Sequence, residues 1–191
     1  MTDPAAPQLP RARPEPLQRG RSGPVPEEDR AIVARQLGRP PRALAAVAHR
    51  CPCGQPDVVE TSPRLEDGTP FPTLYYLTCP RASAAASRLE SAGRMREWQD
   101  ELATDPELAA GYLAAHEAYL AGRDAAARPG EPVLETRTTA GGMPDRVKCL
   151  HALAGHALAA GPGVNPIGDR AVAEMGEWWA KGPCALPEEP A

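Results

Sequence analysis

Five cysteines and four histidines are the residues of this 191-residue chain best suited to chemistry, and most of them cluster. Cys51 and Cys53 sit in His49-Arg50-Cys51-Pro52-Cys53-Gly54, Cys79 stands before Pro80, and Cys149 lies in Lys148-Cys149-Leu150-His151. If the first segment is extended, Cys51 and Cys53 share a face, because side chains alternate along a strand. A turn made by Pro52 and Gly54 would also bring both sulfurs to one side. Four thiolates from Cys51, Cys53, Cys79 and Cys149 would suit tetrahedral zinc or an iron–sulfur cluster. The Cys-x-Cys spacing differs from the usual zinc knuckle, and buried cysteines also serve as small apolar side chains. Cys184 stands apart, near the C-terminus.

A second constellation runs Gly141-Gly142-Met143-Pro144-Asp145-Arg146-Val147-Lys148-Cys149-Leu150-His151, followed by His156. A glycine pair feeding a helix start exposes backbone N–H groups, and Arg146 and Lys148 add positive charge, so an anion fits there. If the helix runs from Pro144, Cys149 and His151 point in nearly opposite directions. Cys149 and His156 would then be two turns, about 10 Å, apart. Such a helix gives at most one ligand to a shared ion. His151 and His156 are candidate acids or bases. His116 is a third, at the edge of the Leu108/Tyr112/Tyr119 stripe beside Arg123, where a hydrogen-bonded core role competes with that of a base. Arg64 and Asp67 flank a turn, where they pair with each other or point into a cleft. Trp178 and Trp179 differ in face, so one belongs to the core and the other is a candidate anchor for a protein partner.

The elements that must position these groups are legible from periodicity and punctuation. Residues 1–25 are Pro- and Arg-rich with little apolar periodicity, which predicts a disordered tail. An acidic first turn at Glu27-Glu28-Asp29 opens a short helix carrying Ile32, Val33 and Leu37, stopped by Gly38, Pro40 and Pro41. Three strands follow: Leu44 to Arg50, Val58 to Thr61, and Leu74 to Thr78, with Asp67-Gly68 as a turn signal between the last two. From Ser83 the chain reads helical, with Gly93 weakening the middle, and Asp105-Pro106 starts a new helix. A Pro/Gly loop over residues 128–143 holds a short strand at Val133 to Thr136. Pro144 starts a helix through Ala160, and Asn165-Pro166 opens a last one. The expected fold is a single α+β domain over residues 26–181. It has a small antiparallel three-stranded sheet packed with four to five helices, and a flexible tail over residues 182–191.

Composition narrows the function classes. The chain has 24 Pro, 17 Gly and one Phe, and Arg outnumbers Lys 19 to 2. A net charge of −4 gives no electrostatic footprint for general nucleic-acid binding. No apolar run is long enough to span a bilayer, and the N-terminus lacks the apolar stretch of a secretory signal. A cytoplasmic location with reduced cysteines is therefore expected.

The runs HRCPCGQPDVVETSPRLEDGTPFPTLYYLTCPR, GGMPDRVKCLHALAGHALAAG and NPIGD resemble the actinobacterial family catalogued as domain of unknown function 501. The resemblance covers about residues 26–181. It carries no established activity, cofactor or catalytic residue. It implies genes beside those for enolase, a septum-formation initiator and an exopolyphosphatase. The motif segments contain Cys51, Cys53, Cys79, Cys149, His151 and His156, and leave out Cys184.

Three functions follow as expectations. The first is a structural or redox metal site, zinc or iron–sulfur, ligated by Cys51, Cys53, Cys79 and Cys149. The second is an enzyme or binder of a phosphorylated or otherwise anionic small molecule. It would be held by Gly141, Gly142, Arg146 and Lys148, with His151, His156 or His116 as acid or base. The third is a non-catalytic interaction module of the division or envelope machinery, using Trp178 or Trp179.

Overall fold

A computed structural model describes residues 24–185. Residues 1–23 and 186–191, where most of the expected tails fall, lie outside the described residues. Helix α1 (Glu27–Leu37) begins with the acidic turn that complements the helix dipole. It ends at Gly38, whose φ of 66° suits a residue without Cβ. Ile32 and Val33 are its buried apolar face.

Strands β1 (Leu44–Arg50), β2 (Pro56–Thr61) and β3 (Tyr75–Leu77) form one antiparallel sheet in the order β1-β2-β3. The Ala-rich first run is thus a strand, with Val47 opposite Val59. The Cys-Pro-Cys-Gly segment is its hairpin turn, closed by Cys51 N–H donating to the Gln55 carbonyl (2.9 Å) and Gly54 N–H donating to the Cys51 carbonyl (2.8 Å). Asp67-Gly68 turns as expected: Asp67 Oδ1 accepts from Thr69 N–H (2.9 Å). Arg64 does not pair with Asp67; it donates to the carbonyls of Gly68 (3.1 Å) and Pro132 (3.3 Å).

The helices that follow are α2 (Pro80–Ser91), α3 (Arg94–Thr104), α4 (Pro106–Ala125), α5 (Leu150–Ala160) and α6 (Pro166–Met175). With α1 this makes six among the described residues, where four to five were expected. Gly93, at φ 87°, ends one helix and starts the next instead of sitting inside a single one. Asp105 caps α4 by accepting from Glu107 and Leu108 N–H (2.9 and 3.0 Å), and Asn165 caps α6 by accepting from Gly168 N–H (2.9 Å).

Two elements differ from expectation for a reason that periodicity cannot carry. Val133 to Thr136 is not a strand. The carbonyls that a ladder would use are bonded by the buried Arg123 guanidinium, at Leu134 (3.4 Å), Thr136 (2.5 Å) and Thr138 (3.5 Å). The helix expected from Pro144 starts only at Leu150. The Val147 N–H donates to Gln99 Oε1 (2.8 Å), and those of Arg146 and Lys148 reach back to the Gly142 and Gly141 carbonyls (2.9 Å each). Only the Arg146 bond has helical i→i−4 spacing; the next two amides go elsewhere, so no continuous ladder passes through that stretch.

Helix α5 packs against β3, α2 and α6, burying Leu150, Leu153, Ala154 and Ala157. Tyr119 of α4 ties this core to the sheet, because its hydroxyl accepts the buried Leu74 N–H at 2.6 Å. Replacing Tyr119 with Phe leaves that amide without an acceptor. We expect a loss of about 1–3 kcal/mol, read as a lower urea midpoint with unchanged slope.

Candidate metal centre

The last turn of α2 and the first turn of α5 meet, and three potential ligands converge where they do. Cys149 is the N-cap of α5, in extended conformation (φ −149°, ψ 108°), not a residue inside the helix. That backbone bend turns its side chain toward His151, two residues on. Cys149 Sγ lies 4.0 Å from His151 Nδ1, which lies 3.1 Å from Glu90 Oε1 of α2. The expectation that Cys149 and His151 diverge is thereby corrected: it assumed a helix through both. Among the described residues, Glu90, Cys149 and His151 form a group whose ligand atoms all lie within 4.8 Å of one another, close enough to hold a metal ion.

The surroundings support the geometry. Glu90 Oε1 also accepts the Leu150 N–H (2.7 Å), so its carboxylate sits at the positive end of α5. The N-terminus of α5 is thus met by Glu90, and the loop of Gly141, Gly142, Arg146 and Lys148, where an anion was expected, lies before it. His151 Nε2 faces Ser87 Oγ at 3.2 Å, one turn before Glu90 on α2. The site is half-buried, with His151 and Glu90 side chains 30% and 24% exposed.

Electrostatics couple the two α5 residues. Burial pushes the Cys149 thiol up, but hydrogen bonds from His151 and the Ala152 backbone outweigh it, leaving the thiol below its ordinary value. The hydrogen bond with Cys149, opposed by burial and reinforced by Glu90, raises His151 to about 9. A base whose folded pKa exceeds its ordinary 6.5 stabilises the fold fully below that value and loses the contribution as pH rises through about 9. In metal-free protein, the His151 ring protons are expected to titrate by NMR with a midpoint near 9; a midpoint near 6.5 contradicts the pairing.

The other candidates occupy different surroundings. Cys51 and Cys53 contact each other in the hairpin turn, and burial pushes the Cys51 thiol up to about 12. Cys79, the N-cap of α2, contacts Cys184. The structure thus places Cys51, Cys53 and Cys79 outside the group that contains Cys149. His49 Nδ1 pairs with the buried Asp57 carboxylate at 2.6 Å.

His156 stacks on Tyr75 (ring centroids 5.7 Å apart) and meets Tyr119 edge-on (5.3 Å). Its Nδ1 accepts from Asn165 Nδ2 at 3.1 Å, since Asn165 Oδ1 is taken by the Gly168 N–H. That makes it a core residue in a satisfied network. His116 is buried on α4, and burial lowers its pKa. Arg146 and Lys148 line an open cavity of about 590 Å³ with Met95, Gln99, Asp145 and Val147. Gly141 and Gly142 pack the loop instead of opening a helix: a Cβ on Gly142 would lie 2.7 Å from the Arg146 carbonyl. Trp178 and Trp179 follow α6 and pack edge-to-face at 4.6 Å, Trp178 inside the core and Trp179 against it, so these contacts give no evidence of a partner. No described helix is long and apolar enough to cross a membrane.

Glu90 and Ser87 escaped the sequence reading. Ser-Arg-Leu-Glu on an ordinary amphipathic helix carries no local mark, and its partners lie about sixty residues away. A signal existed in the rarity of Cys and His two residues apart beside a loop.

A family model described as protein of unknown function (DUF501) matches residues 47–173, a stretch that includes Glu90, Cys149 and His151. No curated protein and no solved structure matches the chain.

Proposed function

The chain belongs to the family described as protein of unknown function (DUF501), and we propose from its own residues that it binds a zinc-type divalent ion through Glu90, Cys149 and His151. The convergence of those three side chains from α2 and the start of α5 carries the reading. One thiolate, one imidazole and one carboxylate form a donor set of the kind zinc takes. With zinc bond lengths of about 2.0–2.3 Å, tetrahedral ligands stand roughly 3.3–3.6 Å apart. The observed 4.0 and 3.1 Å bracket that separation and need only small side-chain adjustment. A single thiolate does not suit an iron–sulfur cluster at this place, since those clusters take four protein ligands of which at least two are cysteines.

Three protein ligands leave a fourth position open, as in zinc sites that lower the pKa of a bound water. The chain's own residues do the positioning. The Leu150 N–H fixes Glu90, and Ser87 Oγ accepts from the far nitrogen of His151, leaving Nδ1 for the ion. A cysteine-nucleophile relay fits less well. There the base would use one ring nitrogen for the thiol and the other for its orienting carboxylate, whereas Cys149 and Glu90 both face Nδ1.

Binding displaces the proton that His151 carries below pH 9, so affinity is expected to rise with pH, by about tenfold per unit when one proton is released. Titrating metal-free protein with zinc against a chromophoric chelator at several pH values tests this. One equivalent bound, more tightly at pH 8 than at pH 6.5, is the expected result. Failure to hold zinc at micromolar concentration overturns the proposal.

A further inference from the structure

The segment after α6 is fastened across the end of the sheet, and its cysteine meets another there. Gln55, in the β1–β2 turn, accepts the Cys184 and Ala185 N–H groups on its Oε1 (3.2 and 3.0 Å) and donates through Nε2 to the Ala185 carbonyl (2.5 Å). The Arg81 side chain donates to the Gly182 carbonyl. Gln36 of α1 donates to both the Pro56 carbonyl (2.7 Å) and Cys184 Sγ (3.2 Å). Cys184 Sγ also contacts Gln55 Oε1 at 3.3 Å, to which the thiol can donate. On the other side stands Cys79, fixed at the N-terminus of α2 in the core cluster against which Cys184 packs, and the two thiols are close enough to perturb each other.

We propose that Cys79 and Cys184 are a thiol-oxidation site, converted to a disulfide by hydrogen peroxide or an equivalent peroxide. The geometry assigns the order of reaction. Cys79 is 1% exposed, while Cys184 is half-buried and is the sulfur a small oxidant reaches first. In the first step the Cys184 thiolate attacks the O–O bond, forming a sulfenic acid and releasing hydroxide, which takes up the thiol's proton as water. In the second, Cys79 sulfur attacks Cys184 sulfur; the S–S bond forms and the sulfenic oxygen leaves as a second water. The two thiols lose two electrons and two protons, and one peroxide becomes two waters. Oxidation brings the two sulfurs to a bond of about 2.0 Å. Charge favours Cys184 as the sulfur that attacks the peroxide: its interaction with Cys79, assisted by Gln36 and Arg81, lowers the Cys184 thiol against its partial burial. The contact with Cys184, together with burial, raises that of Cys79.

Cys51 and Cys53 are the competing pair. They are separated by one residue in a tight turn, where a disulfide closes a small strained ring. Cys149 has His151, not a second thiol, as its neighbour.

The full-length protein, reduced and then freed of reductant, is treated with one equivalent of hydrogen peroxide in non-denaturing buffer and mapped by non-reducing peptide mass spectrometry. Two of the five thiols should disappear, with Cys79 and Cys184 peptides joined and released again by dithiothreitol. Cys184→Ser should abolish that linkage, and dimedone should trap the sulfenic acid on Cys184 in a Cys79→Ala variant. If Cys79→Ala does not fold, the wild-type map decides alone. A Cys51–Cys53 link, a linkage between two chains, oxidation confined to Cys149, or Cys79 and Cys184 both still alkylated after peroxide overturns the proposal.

Discussion

Replacing Gly168 with Ala is expected to destabilise the fold by about 3 kcal/mol, although Gly→Ala inside a helix ordinarily gains about 0.5–1 kcal/mol. Gly168 lies in the first turn of α6 where that helix crosses α5. A Cβ there would stand 2.3 Å from the Leu153 carbonyl oxygen, 2.8 Å from Ala157 Cβ and 3.0 Å from Asn165 Cγ. Backbone oxygen and an alanine methyl cannot rotate away, so the two helices must move apart. Overpacking of this kind costs about 1–3 kcal/mol or more, and it comes with strain on the Asn165 cap. For a domain of this size the melting temperature should fall by about 6–12 °C. Gly111 on α4 is the control: its Cβ would meet Pro166 Cγ at an ordinary 3.4 Å, so Gly111→Ala should be close to neutral. Equal melting temperatures for the two variants would show that α5 and α6 do not approach this closely.

The second large effect concerns the metal. Removing one ligand by Cys149→Ser or His151→Ala should weaken zinc binding by at least about 100-fold, or ~2.7 kcal/mol, because even partners behind a ligand are worth 10–100-fold. Glu90→Gln separates the two tasks of that residue. The amide oxygen still accepts the Leu150 N–H, so stability should hardly change, while loss of the charge weakens zinc binding. Cys51→Ser, in the hairpin turn, should bind zinc like the wild type. Equal affinity in all four variants would place any bound zinc elsewhere.

Much of the fold was readable because its determinants are local. Asp67-Gly68, the Asp105 and Asn165 caps, and the acidic turn of α1 act within a few residues of themselves, and each appears where its chemistry predicts. The site was less readable because one side chain decides it from a distance. Gln99 of α3 takes the Val147 N–H, the helix cannot begin at Pro144, and Cys149 becomes a cap instead of a helical residue. Read inside a helix, Cys149 and His151 point apart; read at its threshold, they meet. The same limit hid Glu90, and Cys184, which gains its neighbours only when its segment folds back on Gln55, Gln36 and Arg81. Arg123 shows the converse: a residue noted as a companion to His116 instead bonds the carbonyls of a loop that alternation alone would make a strand.

The irregularity of the sheet has a consequence for how copies of the chain treat one another. A sheet of three strands has two open sides, and a regular open side invites a strand from another molecule. Here β3 is only three residues long, too short to template much pairing. At the opposite side, β1 breaks register between Leu44 and Ala46, between Val47 and His49, and between His49 and Arg50. Those shifts, which look like imperfections in the hairpin, spoil the even spacing of amides that an incoming strand would need. They protect an Ala-rich strand from self-association without requiring a layer of charge over it.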